Sequence, residues 1–400
     1  MENRNKYLWI LALVSLTFGS ATFNSYAQVN AEKVKKEEPI RIYGHANIEA
    51  SHNIQQKYSE EYSSFTPSLI PMTSNQKKLS NALMYDASLK IGFETKFYIE
   101  ERFSKGIAEF VASKNDSLSI HRLYFETENF SLGLKENNFC NIATFGPVKV
   151  IQASWKNKYK NNFTFAIGIE ENKTVTLYPE KANKYKGMTK DQLEAKPFQS
   201  RRNFPAASTN LQYDFSDNFG SIALSGIVRP MSFYDSGSKD HKTPLLLGWG
   251  ANLGTKLKLR PKVNILTANI LFGQGIGSYV HDLKEMGKVE EADAYIKKGT
   301  DNEVKTIMVG GAHASFEHRW SPALHFNICA GANYTFNQDK NDREDGKDAY
   351  KLGVYAGAHA KYWITKRAAV GAEYTWGGRK NLDDNFKNAH HIKAVATFKF

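Results

Sequence analysis

His390, His391, Ile392, Lys393, Ala394, Val395, Ala396, Thr397, Phe398, Lys399 and Phe400 are the last residues of the chain, and their order decides the fold. Side chains on an extended strand alternate between two faces. Ile392, Ala394, Ala396, Phe398 and Phe400 therefore share one face, and His391, Lys393, Val395, Thr397 and Lys399 share the other. The first face suits hydrocarbon and the second suits water. A soluble edge strand can carry such a pattern, so the rest of the chain must discriminate. As the closing strand of a bilayer-spanning barrel, the stretch is apolar outward, polar inward and aromatic at the interface.

The same alternation recurs upstream. Ile40, Ile42, Gly44, Ala46 and Ile48 alternate with Arg41, Tyr43, His45, Asn47 and Glu49, which predicts a first strand. His52 to Asp86 is long and polar and reads as a large first loop. Strands follow at Ala87–Tyr98, Gly106–Ser113, Ser119–Glu128, Phe130–Asn137, Val148–Tyr159 and Asn162–Glu171, the last with Phe163, Phe165, Ile167 and Ile169 outward. After a polar loop from Asn172 to Asn203, Ser208–Ser216 and Ser221–Phe233 pair across Asp217, Asn218, Phe219 and Gly220, which is turn chemistry. Leu245–Leu259 pairs with Val263–Gly275 across Arg260, Pro261 and Lys262. His281 to Glu303 reads as a mixed-charge loop with one short helical turn. Thr306–Arg319, Ala323–Phe336, Ala349–Ile364, Ala368–Gly377 and His390–Phe400 complete a set of about sixteen strands.

Short links alternate with long polar ones, the asymmetry of a transmembrane barrel with short periplasmic turns and longer extracellular loops. The expected fold is all-β, a transmembrane antiparallel β-barrel over residues 39–400. At roughly 22 residues per strand and connection, sixteen strands use about 350 of the 400 residues. Past the N-terminus, no run of ~18 apolar residues offers a membrane helix.

Residues 1–27 read as a cleaved signal peptide: Arg4 and Lys6 precede an apolar core, Tyr7 to Phe18, and Ser25, Tyr26 and Ala27 give a small-x-small cleavage site. Residues 28–38 read as a short periplasmic tail. Cys140 and Cys329 have no spacing that suggests pairing or metal, so unpaired thiols are expected.

Formal net charge is +12. A nucleic-acid binder would cluster that charge with stacking aromatics on one face, whereas here it is spread over the polar phase of the strands. The excess points to a basic lumen and basic loops, with small anionic solutes and the phosphates of lipopolysaccharide as partners, along with outer-membrane lipid, and no nucleic acid. Candidate pore-lining residues are Arg41, Lys90, His121, Lys135, Arg229, Lys256 and Lys258, with Glu109 and Glu373 as counter-charges. Each is also readable as an ordinary wetted lumen charge. Arg122 is ambiguous, because strict alternation opposes it to His121 and a bulge would reverse that. Asn138 to Val148 is a candidate constriction loop or a plain extracellular turn.

Gly250, Gly254, Gly273, Gly275 and Gly277 lack the strand-to-helix context of a phosphate loop and read as glycines relieving crowding. Trp249, Tyr374, Trp376, Phe398 and Phe400 read as lipid-face aromatics. A barrel enzyme of lipase or protease type needs a rim constellation of Ser, His and Asn or paired acids. Neither Gly-x-Ser-x-Gly nor His-Glu-x-x-His occurs. The expectation is no catalysis, metal or cofactor; a barrel enzyme and a plugged structural or adhesive barrel are the alternatives.

An ordered series of motifs resembles the DcaP-like outer-membrane porins. It runs through Leu89–Phe93, His121–Tyr124, Trp249–Leu253, Gly273–Tyr279, His281–Leu283, Phe316–Pro322 and Val370–Asn381. A terminal Phe, here Phe400 with Phe398 before it, also resembles the assembly signal of bacterial outer-membrane proteins, which the barrel-assembly machinery receives. The resemblance implies a sixteen-stranded homotrimer in the outer membrane that passes small anions such as dicarboxylates. Two departures stand out. Members often carry an N-terminal coiled coil, for which Gln28 to Glu38 is too short. Lys90 and His121 stand where the family has arginines, and a lysine grips a carboxylate less specifically than a bidentate arginine.

Overall fold

The computed structural model describes residues 38–54, 66–70, 72, 83–99, 102–113, 118–140, 148–160, 162–172, 176–177, 198–201, 204–234, 245–260, 263–280, 282–283, 292–298, 303–343, 346 and 349–400. The signal peptide and all but the last residue of the short tail lie outside them.

Sixteen long strands build the wall: β1 (Glu38–Ile54), β2 (Leu83–Ile99), β3 (Arg102–Ser113), β4 (Ser119–Thr127), β5 (Phe130–Glu136), β6 (Lys149–Tyr159), β7 (Phe163–Glu170), β8 (Ala206–Asp214), β9 (Gly220–Tyr234), β10 (Leu246–Arg260), β11 (Asn264–Gln274), β12 (Met308–Arg319), β13 (Leu324–Thr335), β14 (Tyr350–Trp363), β15 (Ala368–Asn381) and β16 (Phe386–Lys399). Each pairs with its neighbours in chain order. The sheet closes where β16 pairs antiparallel with β1, from His45 opposite Lys399 to Ile54 opposite His390. Closure satisfies every ladder position, because an unpaired strand edge in lipid leaves backbone groups with no partner.

Exposure runs opposite to that of a soluble protein. Ile270 is 63% exposed, Ile169 58% and Leu224 54%, whereas Ser208 is 0%, Asn252 2% and Asn210 3% exposed. Apolar side chains face away and polar ones fill the inside, which is stable only with lipid around the wall. Connections at one end, from β2–β3 to β14–β15, are at most five residues long. The other end holds the long connections, although β3–β4 and β15–β16 are short there too.

Two of the long connections carry more order than the sequence suggested. Thr176–Leu177 and Phe198–Arg201 pair with each other, and the latter adds to the end of β9. Ala294–Ile296 and Val304–Thr306 form a two-stranded ribbon in the mixed-charge loop. Cys140 and Cys329 are not joined by a disulfide.

Candidate functional site

The site is the lumen, and its most charged wall runs from β1 to β6. Glu109 on β3 lies opposite Gly92 on β2. A Cβ at Gly92 would come within 2.4 Å of the Tyr43 ring, so glycine there lets Tyr43 cross β2 and donate from Oη to Glu109 Oε1 at 2.8 Å. Lys90 Nζ stands 2.9 Å from Glu109 Oε2, and Arg122 Nη1 stands 3.5 Å from the same oxygen.

A β-bulge settles the ambiguity at Arg122. Register shifts so that Glu109 faces Arg122 while Phe110 faces Ile120. The extra residue, His121, and Arg122 both reach lumen partners. Arg122 Nε donates to Glu136 Oε1 at 2.8 Å, and Lys149 Nζ lies 2.6 Å from His121 Nε2. Lys135 Nζ lies 3.9 Å from Glu126 Oε2, 3.2 Å from Ser131 Oγ and 5.3 Å from the Tyr124 ring centre. Lys156 also pairs with Glu126.

Two connected columns result, Lys90–Glu109–Arg122–Glu136 and Lys135–Glu126–Lys156. Beside them a cleft of about 490 Å³ is lined by Arg122, Lys135, Lys156, Asn138, Asn210 and Gln212. Fixed charges in a narrow wetted channel with a low-dielectric wall act over the whole cross-section, because the wall focuses their field.

Segments from the long-loop end fold into the lumen opposite this wall. Phe139, fully buried, accepts at its carbonyl from Asn252 Nδ2 of β10 at 2.8 Å. It packs edge-on against Tyr279, 6.0 Å between centroids. After β5 the chain turns inward over Asn138–Cys140; residues 141–147, the middle of the candidate constriction loop, lie outside the described set. A Cβ on Gly250 would meet Ile276 Cδ1 at 2.9 Å and Phe139 Cζ at 3.0 Å. The glycines of β10 and β11 thus make room for inward-folded loops, as crowding relief requires. Phe139, Ile276, Tyr279, Leu283, Tyr295 and Tyr350 belong to one buried apolar cluster.

Arg229 belongs to this inner structure and not to the wetted pore, which corrects its place among the expected lining charges. It is fully buried, with Nη1 3.0 Å from Asp293 Oδ2 and 2.9 Å from both Gly275 O and Ser278 Oγ. Burial of a charge demands such complete pairing. A second tether joins Asp282 to Tyr350 Oη at 2.6 Å and to the Ser68 N–H at 2.7 Å, while Arg379 donates to Ser68 O. Burial raises the Asp282 carboxyl above its ordinary range, against the pull of the Tyr350 and Ser68 hydrogen bonds.

The other expected residues are scattered. Arg41 sits at the rim, its side chain 71% exposed and 3.8 Å from Glu94. Lys256 faces Ser221 and Thr267 across the lumen side of β10, and Lys258 donates to Asn218. Glu373 Oε2 lies 3.4 Å from Lys393 Nζ. Phe398 and Phe400 face outward, 50% and 45% exposed. Among the described residues, no group of three or more His, Cys, Asp or Glu could hold a metal ion.

No protein-family model matches the chain, and no curated protein matches it. Solved structures do. The outer-membrane channel DcaP of Acinetobacter baumannii superposes with a TM-score of 0.71 at 17% identity, over 93% of this chain and 100% of that one. The fold is that of the DcaP-type porin barrel. Salmonella typhi OmpF is similar at a TM-score of 0.53 and 10% identity, over 90% of this chain and 97% of its own. Pseudomonas putida OprB is similar at 0.53 and 8%, over 90% and 94%.

On this barrel, Lys90, Glu109, His121, Lys135 and Glu373, which sequence alternation placed inward, reach partners on the lumen side. The sequence reading missed Glu126 and Lys156, which share the polar phase of their strands and were legible there, and also Glu136 and Lys149, which fall in phase with the apolar Leu134 and Ile151 and gave no such signal. Asp282 and Asp293 had no such signal, since their partners come from distant strands.

Proposed function

We propose that the protein is an outer-membrane porin that passively conducts small hydrophilic solutes with a bias towards anions such as dicarboxylates. The observation that carries this reading is the composition of the β2–β6 lumen wall. Lys90, Lys105, Arg122, Lys135, Lys149 and Lys156 face Glu94, Glu109, Glu126 and Glu136, an excess of cations that raises the local concentration of anions. Arg122 offers a planar fork that matches a carboxylate. Conduction needs no catalytic group, and the chain is read as a non-enzyme.

Export by the cleaved signal of residues 1–27, insertion by the barrel-assembly machinery and contact with lipopolysaccharide are parts of the same proposal. So is a homotrimer. Its support is the outward face of β14–β16 and β1, where Ala358, Ala360, Ala372, Ala394, Ala396 and Ala46 replace the bulky outward residues of β7–β11; small residues allow close packing of one wall on another in lipid. Chemical cross-linking in membranes tests it, with a trimer band expected.

Liposome swelling tests the transport reading. Vesicles containing the protein are expected to swell faster in succinate than in an equally sized cationic solute, and equal rates would remove the anion bias. A second reading, a plugged structural barrel, rests on the apolar cluster that the inward segments place inside the lumen. Vesicles that never swell would favour it.

A further inference from the structure

A second cleft, of about 290 Å³, lies on the lumen face of β14–β16 and β1, towards the short-turn end. His45, Asn47, His359, Lys361, Thr397 and Lys399 line it together with Glu49, Glu373 and Lys393. Both carboxylates are engaged by Lys393, at 3.7 Å from Glu49 and 3.4 Å from Glu373. Lys361 and Lys399 are left over. Among the described residues no carboxylate lies within ion-pair distance of either. Lys361 Nζ has the Thr397 hydroxyl at 3.4 Å, and both ammonium groups lie near one indole, Trp363, at 5.0 and 4.2 Å from its ring centre. The two nitrogens are therefore within about 9 Å of each other.

We propose that this cleft is an anion subsite for a phosphate group, free or as a small phosphate monoester. It deepens the porin reading, on which solute access to the lumen rests. Two like charges held side by side without a counter-charge in a low-dielectric wall are stabilised by a compact anion between them. Charge-assisted N–H···O bonds of about 2.7–2.9 Å from both lysines to oxygens of one phosphate reach across about 8 Å at most, inside that bound. The donor types select the ligand. None of the lining residues is an arginine, so the planar fork that suits a carboxylate is missing, whereas lysine is a point charge with three rotatable donors that suits a tetrahedral oxyanion. Asn47, Thr397 and the imidazoles of His45 and His359 add donors for the remaining oxygens. The subsite thus differs in chemistry from the Arg122 wall, and a solute crossing the barrel meets both.

The test is calorimetric titration of the purified full-length protein with inorganic phosphate, beside acetate and succinate, and single-channel recording of the same preparation. Native protein is expected to bind phosphate more tightly than either carboxylate. Lys361→Gln/Lys399→Gln is expected to bind phosphate at least tenfold more weakly, and Lys361→Arg/Lys399→Arg is expected to gain affinity for acetate. Lys351→Gln, far from the cleft, should titrate as the native protein does. Migration of each variant as a heat-resistant folded barrel on gels controls for misfolding. Phosphate binding that is absent, or unchanged in the glutamine variant, overturns the proposal even if the channel conducts. A protein that is silent in bilayers yet loses phosphate binding with the two lysines keeps the subsite and loses the porin reading.

Discussion

Arg229 on β9 and Asp293 in the connection between β11 and β12 meet at 3.0 Å with both side chains buried. They join a wall strand to a segment folded into the lumen, so the pore's inner shape depends on a pair that sits outside the solute's path. Asp293→Ala leaves the buried guanidinium without its carboxylate and is expected to cost about 3–5 kcal/mol. A lower denaturant midpoint, with faster proteolysis within residues 275–307, checks this. An unchanged midpoint would mean that the segment is held elsewhere.

Glu109 neutralises Lys90 and part of Arg122. Glu109→Gln keeps the hydrogen bond from Tyr43 and removes the charge. The anion-over-cation permeability ratio is expected to rise, by about twofold, in reversal potentials across a salt gradient. A fall in that ratio would place the column outside the conducting path.

Lys256 and Lys258 stand on the lumen side of β10, opposite the charged wall. Replacing both by Glu removes two positive charges and adds two negative ones, and is expected to lower anion preference. An unchanged reversal potential would show that the permeating ions do not sense β10.

Phe400 closes the barrel through its backbone, accepting from and donating to Gly44 at 3.1 Å each. Its ring lies over Gly44, where a Cβ would come within 2.6 Å of it. Deleting Phe400 is expected to reduce membrane insertion by far more than the loss of two hydrogen bonds, each worth about 1 kcal/mol. Normal yields of folded barrel would remove its role as an assembly signal. Phe400→Ala removes the ring but keeps both backbone hydrogen bonds, and a smaller defect than the deletion is expected.

Period-two alternation made the wall legible in the sequence, because outward residues meet lipid and inward ones meet the lumen or the segments folded into it. His391, Lys393, Thr397 and Lys399 fall on the lumen side as read. Alternation fails where the backbone departs from it. The bulge at His121 and Arg122 puts both side chains on one side, and sequence alone could pose that choice without resolving it. Arg229 was misread for a different reason: alternation gives its face correctly but is blind to Asp293, about sixty residues away, which converts a wetted charge into a buried one. The proximity of Lys361 and Lys399 depends on β14 and β16 flanking β15 in a register that brings both lysines to one level of the lumen face, which alternation along a single strand does not give.

The central claim is that this barrel is an open, anion-biased channel. Single-channel recording of the purified protein in planar bilayers, followed by reversal potential in a potassium chloride gradient, tests it most directly. Stepwise openings, grouped in threes, with a reversal potential shifted towards that of chloride are the expected result. A barrel that inserts and stays silent, or one that prefers potassium, would contradict the account.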